Sequence, residues 1–142
     1  MSQSIKLICD SRIDNVPLLG LAVSAICSHA SQDESLLYQL EVCVVEAVNN
    51  VIIHSYDRKP GYEIEVIITL NQDFFEFQII DSGQKLSAKF DSITKSEFYF
   101  ADLNALRESG NGLLIINSFM DEVTYNQQAG KNITTMRKKR LH

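Results

Sequence analysis

The stretch from Val42 to Ile53 constrains this chain more than any other. It reads Val-Cys-Val-Val-Glu-Ala-Val-Asn-Asn-Val-Ile-Ile, apolar except at Glu46, Asn49 and Asn50. It is too short to span a bilayer, which needs about 20 apolar residues. Extended on both sides it predicts one long helix, from about Glu34 to Ser55. Leu37, Leu40, Val44, Val48, Val51 and Ile52 then follow helical spacing. Glu46, Asn50 and His54 stand at i, i+4 and i+8. Four residues advance about 400°, so the three share one face within about 80°. Carboxylate and amide one turn apart can hold a divalent cation or orient a water, and an Asn oxygen is a hard ligand suited to magnesium. The same spacing also fits the solvated face of a surface helix. Val42, Cys43, Ala47 and Ile53 around the stripe weigh against that, because a solvent face normally holds more Lys, Glu and Gln.

The rest of the chain divides around this helix. Ser4 to Cys9 alternates as an opening strand, with Ile5 and Leu7 on one face. Asp14 or Asn15 can cap a helix with Pro17 in its first turn, running to about His29. Its expected buried face is Leu18, Leu21, Ala22, Ala25 and Ile26. Ser31 to Asp33 ends that helix and caps the long one. Arg58-Lys59-Pro60-Gly61 is a turn. Tyr62 to Leu70 and Phe74 to Ile80 alternate as a hairpin through Asn71-Gln72-Asp73. Gln84 to Ser109 has no clear period, and so long an irregular connection is expected to be a functional lid, at about 84–109. Gly110-Asn111-Gly112 precedes a helical run from Leu113 to Met120. Glu122 to Asn126 and Asn132 to Arg137 form a closing hairpin, with Gly130 in the turn. Segregated strands and helices predict an α+β fold, a two-layer α/β sandwich on a mixed, mostly antiparallel sheet with helices on one face. The 142 residues are read as one domain.

Charge excludes one class of function. Thirteen Lys and Arg stand against 18 Asp and Glu, and the net charge is −5. Four of the cations sit together at Arg137, Lys138, Lys139 and Arg140, where a solvated strand end is expected. A general nucleic-acid binder needs a basic face and is disfavoured. Cys9, Cys27 and Cys43 form no Cys-x-x-Cys pair and no zinc-type cluster. Unpaired cysteines and the lack of a secretory leader point to a reducing, cytoplasmic setting without membrane attachment.

Two further segments carry chemistry. Asp81-Ser82-Gly83 closes a strand, and a Gly able to adopt positive φ lets the Asp aim its carboxylate into a pocket. An adenine amino group is one fitting partner; an ordinary Asp-x-Gly turn is the plainer reading. Gly110-x-Gly112-Leu113 opens a helix, where small residues let a phosphate approach the backbone N–H groups. A simple helix start has the same look.

Together these segments resemble the GHKL superfamily of ATP-binding domains. The pattern is Glu46-Ala47-x-x-Asn50-x-x-x-His54-x-Tyr56, then Asp81-x-Gly83, then Gly110-x-Gly112-Leu113-x-x-Ile116, then Met120-Asp121-x-Val123-x-Tyr125. Within it the chain looks like the bacterial anti-sigma-factor serine/threonine kinases and related switch-protein kinases. The resemblance implies ATP and Mg2+ as cofactors. It makes Asn50 the magnesium ligand, Glu46 the general base and Asp81 the reader of the adenine amino group. Gly83 would admit the base, and Gly110 and Gly112 would start the phosphate-side helix. His54 belongs to the pattern as a structural residue. Asn132 falls on the strand passing under the adenine but fits loosely. Of the lid cations Lys85, Lys89, Lys95 and Arg107, the last is nearest Gly110 and is expected to meet the phosphates.

Two positions depart from the pattern. Lys85 stands where many relatives carry a second glycine, and Ile53 where sensor histidine kinases often carry a basic residue. The expected substrate is a STAS-domain anti-anti-sigma protein. A sigma factor is a second expected partner and a homodimer the expected assembly. Two alternatives stay open: a non-catalytic ATP-dependent sigma-binding module, and a switch kinase that binds no sigma factor.

Overall fold

The computed structural model describes residues 2–83 and 112–141. Five strands and three helices follow in the order β1 (Gln3–Asp10), α1 (Val16–Cys27), α2 (Glu34–Asn50), β2 (Glu63–Leu70), β3 (Phe74–Asp81), α3 (Gly112–Phe119), β4 (Glu122–Gln128) and β5 (Lys131–Lys139). The sheet order is β1-β2-β3-β5-β4. Every pairing among the described residues is antiparallel, in keeping with the mostly antiparallel sheet expected.

Alternation fixes which face of the hairpin is covered. Ile64, Val66, Ile68 and Leu70 of β2 and Phe75, Phe77 and Ile79 of β3 are all buried. A register with Val66 opposite Ile79 and Ile68 opposite Phe77 puts them on one face. The helices pack there. Asp33 starts α2 as expected, its Oδ1 accepting from Ser35 N–H at 3.1 Å and Leu36 N–H at 3.2 Å. Leu40, Val44, Val48 and Val51 then go into the core. The segment Glu34–Ser55 is 22 residues long and apolar enough, by length and composition, to cross a membrane. In the fold that apolarity is met by the sheet and by the flanking helices.

The first helix sits in a different phase from the expected one. Val16, Leu19, Gly20, Val23 and Cys27 face inward, whereas Leu18 and Leu21 are 66% and 64% exposed. This helix is apolar nearly all round, so its pattern does not choose a buried side. Gly20 chooses it: a Cβ there would stand 3.0 Å from Val45 Cγ2 and 3.3 Å from Glu41 Cγ, so α1 meets α2 at this glycine. The cap also differs. Asn15 makes no capping bond with its side chain, which instead donates to Asp10 O at 3.3 Å.

The long helix does not stay α-helical to its end. From Val51 to Ser55 it widens into a π turn, closed by Tyr56 N–H donating to Val51 O at 3.0 Å. Asp57 and Arg58 follow in the left-handed region, with φ of 52° and 61°. The basic tail is a correction as well. Arg137 Nε donates to Glu76 Oε1 at 2.8 Å and lies over the Phe74 ring. Lys138 Nζ donates to Phe119 O at 2.9 Å, at the end of α3. Arg140 donates to Asn71 O at 2.6 Å and Ala30 O at 2.9 Å. These cations fasten β5 to its neighbours and are not a solvated end.

Candidate functional site

Glu46 and Asn50 lie one turn apart on α2 and are 8% and 6% exposed. Neither is a solvated surface residue. Opposite them begins α3. A Cβ added to Gly112 would stand 2.6 Å from Glu46 Oε2 and 3.5 Å from Asn50 Nδ2. Only a residue without a side chain fits there undisturbed, so the helix start is seated directly on the acidic stripe. The α3 N–H groups left unpaired at such a start, with the helix dipole, favour an anion. Leu113 beside it is buried in the core, so its side chain anchors the start of α3. His54 stands half-buried on the π turn, off the regular α-helical continuation of Glu46 and Asn50.

Asp81 ends β3 opposite Asn132 of β5 and is 3% exposed. Its Oδ1 accepts from Asn132 Nδ2 and from Gly83 N–H, each at 2.9 Å. Burial pushes the Asp81 carboxyl above the ordinary aspartate value, and hydrogen bonds from Asn132, Gly83 and Ser55 oppose that rise. Gly83 presses against the end of the long helix, since a Cβ there would collide with the Ser55 carbonyl. Tyr56 closes the same corner. Its hydroxyl donates to Glu63 O at 2.8 Å and accepts from Ser82 N–H at 2.9 Å, and its ring stacks on Tyr62 at 4.7 Å.

The two glycines thus tie two half-sites to one helix: Gly112 at Glu46 and Asn50, Gly83 at Ser55. Asn50 Nδ2 is buried and has no hydrogen-bond partner among the described residues. Buried polar groups are nearly always paired, so the Asn50 amide is open to a partner beyond the described residues. Arg107, Gly110 and the segment 84–109 lie outside the described residues. Glu46 Oε2 and the Asn50 amide lie beside an α3 start that leaves no room for a Cβ; with the amide turned so that its oxygen faces this space, the pair suits a hard cation such as magnesium. Among the described residues no group of three or more His, Cys, Asp or Glu could hold a metal by itself, so a cation here would share its shell with a ligand. Cys27 and Cys43 are buried and pushed up to about 12 by desolvation, as inert thiols should be.

Tyr125 and Gln127 of β4 join this corner; Tyr125 stands in the family-like pattern, whereas Gln127 carries no sequence signal of its own. Both donate to Asn132 of the next strand, β5, which donates in turn to Asp81 of β3, a strand far from it in the chain.

The fold is thus a two-layer sandwich with an acid-amide stripe on its central helix and a buried carboxylate at the end of a facing strand. The chain belongs to the histidine kinase-like ATPase domain family, which it matches over residues 9–138. Membership carries ATP binding.

Its relatives include switch kinases and anti-sigma factors. It is 27% identical to the serine-protein kinase RsbW of Oceanobacillus iheyensis over 127 residues, 89% of this chain and 80% of that protein. It is 32% identical to RsbW of Staphylococcus aureus over 124 residues, 84% of this chain and 76% of that one. The anti-sigma F factor of Geobacillus thermodenitrificans is 26% identical over 141 residues, 99% of this chain and 94% of that one. A chain of the SiaB–SiaC complex from Pseudomonas aeruginosa shares the fold, with a TM-score of 0.59 at 17% identity over 94% of this chain and 89% of that one.

Proposed function

We propose that this chain is an ATP-dependent serine/threonine protein kinase of the partner-switching type, acting in the cytoplasm on a STAS-domain antagonist. The observation that carries the reading is the seat of Gly112 on Glu46 and Asn50, which joins an anion-favouring helix start to a carboxylate and an amide. Asn50 would hold magnesium through its amide oxygen. The cation would neutralise phosphate charge, which is most of what phosphoryl transfer asks of a site. Asp81 accepts from the amino group of adenine, and Gly83 N–H helps hold its carboxylate in place. Glu46 accepts the proton of the attacking hydroxyl while the new O–P bond forms and ADP leaves.

Incubating the chain with MgATP and a candidate STAS protein tests this. A mass gain of one phosphate on that partner is expected; none, with ATP bound, overturns the kinase assignment. The anti-sigma F relative, matched over 99% of this chain, favours a second reading in which the chain also sequesters a sigma factor. A nucleotide-dependent complex on a sizing column would show it. Ile13, Leu18 and Leu21 around α1 and Ile5 and Ile8 on the β1 edge are exposed and apolar, and a second copy of the chain would cover such a surface.

A further inference from the structure

We propose that Asn132, pinned by Tyr125 and Gln127, sets the purine preference of the nucleotide site by fixing Asp81 as a hydrogen-bond acceptor. The proposal rests on the nucleotide reading above and adds three positioning residues to it.

Asn132 is 3% exposed and faces Asp81 across the β3–β5 pair. Its Nδ2 donates to Asp81 Oδ1 at 2.9 Å and to Gly83 O at 3.3 Å. Its Oδ1 accepts from Tyr125 OH at 2.9 Å and from Gln127 Nε2 at 2.8 Å. Two donated and two accepted bonds match the capacity of a side-chain amide. The orientation of such an amide normally has to be inferred from neighbours that can themselves turn. Here a backbone carbonyl decides it. Gly83 O can only accept, so the atom facing it is the nitrogen. The oxygen must then face Tyr125 and Gln127, and the Tyr125 hydroxyl must donate.

This order passes to Asp81. Its Oδ1 is held by Asn132 and by Gly83 N–H, and Oδ2 takes part in neither bond. An amide that can only donate keeps the carboxylate an acceptor. Adenine presents an amino donor at its sixth position, where guanine presents a carbonyl. An acceptor held there pairs with the first and repels the second. Burial alone works the other way, toward a protonated carboxyl that donates and pairs with either base. Asn132 counters that drift, and Tyr125 and Gln127 keep Asn132 from turning over.

The test compares ligands that differ in one group. Affinities of the whole chain for ATP, GTP and purine riboside triphosphate, which lacks the amino group, are measured with magnesium present. In the parent protein, loss of the amino group should weaken binding about tenfold, the lower part of the cost of an unpaired buried polar group. In Asn132→Leu that factor should fall to about two or less, and the preference for ATP over GTP should shrink with it. The double change Tyr125→Phe and Gln127→Leu leaves Asn132 in place and should move both ratios the same way; it keeps the proposal testable if Asn132→Leu does not fold. Equal weakening of all three ligands would mark Asn132 as merely structural and overturn the proposal. So would ratios that stay at the parental value in the double variant. A parent protein that binds none of the three would instead overturn the nucleotide reading itself.

Discussion

At Gly112 and Gly83 the same substitution is expected to have two different effects. A methyl at Gly112 meets the Glu46 side chain, whose carboxylate can swing aside. The fold should survive Gly112→Ala, but Glu46 would leave its position, and displacements of about 1 Å can cost about 100-fold in rate. Phosphotransfer to the partner, measured at saturating ATP, should fall by about that factor with thermal stability nearly unchanged. A methyl at Gly83 meets the backbone of Ser55, which cannot rotate away. Gly83→Ala should therefore cost about 1–3 kcal/mol of stability, read as a lower urea midpoint.

Glu46→Gln separates chemistry from binding. The amide keeps size and hydrogen bonding but no longer takes a proton. Transfer should drop by about 10²–10⁴-fold while ATP affinity holds. Equal losses of both would make Glu46 a metal-shell residue.

Asp81 ties function to stability through pH. Its carboxyl lies above the ordinary aspartate value because it is buried. A raised acid contributes stability that is fully present below its unfolded value and is lost as pH rises through the folded one. In the nucleotide-free protein, Asp81→Asn removes that loss, since an amide oxygen can still accept from Asn132 and Gly83. The stability of Asp81→Asn relative to the parent should grow as pH rises through the window above the ordinary aspartate value and then level off. Urea titrations at a series of pH values check this, and a difference that shrinks with rising pH would contradict it. The same variant should bind ATP less tightly by about 1–3 kcal/mol.

At the scale of elements, the three helices are held by different means. The second is capped by Asp33 and packed on the hairpin, both readable from local pattern. The third is short, Gly112–Phe119, and short helices need tertiary support. Lys138 supplies it by donating to the last carbonyl turn at Phe119, where a cation also suits the helix dipole. Arg140 does similar work just past the same end of β5. It bridges the hairpin turn at Asn71 and the α1–α2 connection at Ala30, beneath the ring of Phe75. Arg140→Ala should lower stability by about 1–3 kcal/mol, the range for hydrogen bonds to a charged group. The urea midpoint should shift with no change of slope. A midpoint within error of the parent would return the tail to the solvated role its composition implies.

On the scale of the whole molecule, no described helix covers the second side of the sheet, and an apolar surface surrounds α1. Ile13, Leu18 and Leu21 are each more than half exposed, beside a groove of about 580 Å³ between α1 and α2. If a second copy covers this face, Leu18→Glu with Leu21→Glu should give a monomer by sedimentation, without loss of thermal stability. Both side chains already face solvent in the single chain, so the fold itself does not depend on them. A double variant with the parental sedimentation coefficient would move any self-association elsewhere.

Local pattern alone determined the α2 start, the β2–β3 hairpin and the closing hairpin. Each depends on contacts within a few residues: a cap, a two-residue alternation, a turn. It also placed Glu46 and Asn50 on one face, because four residues make nearly one helical turn whatever surrounds them. The phase of α1 was beyond it, since a helix apolar on all sides has no preferred face until Gly20 meets Val45. The basic tail misled for a related reason. Charge in sequence says nothing about which carbonyls lie within reach, and those of Ala30, Asn71 and Phe119 come near only when the sheet closes. The Asp81–Asn132–Tyr125 connection was decided at the same moment. Asp81 and Asn132 are 51 residues apart and become neighbours through strand register, a property of the paired strands and of neither strand alone.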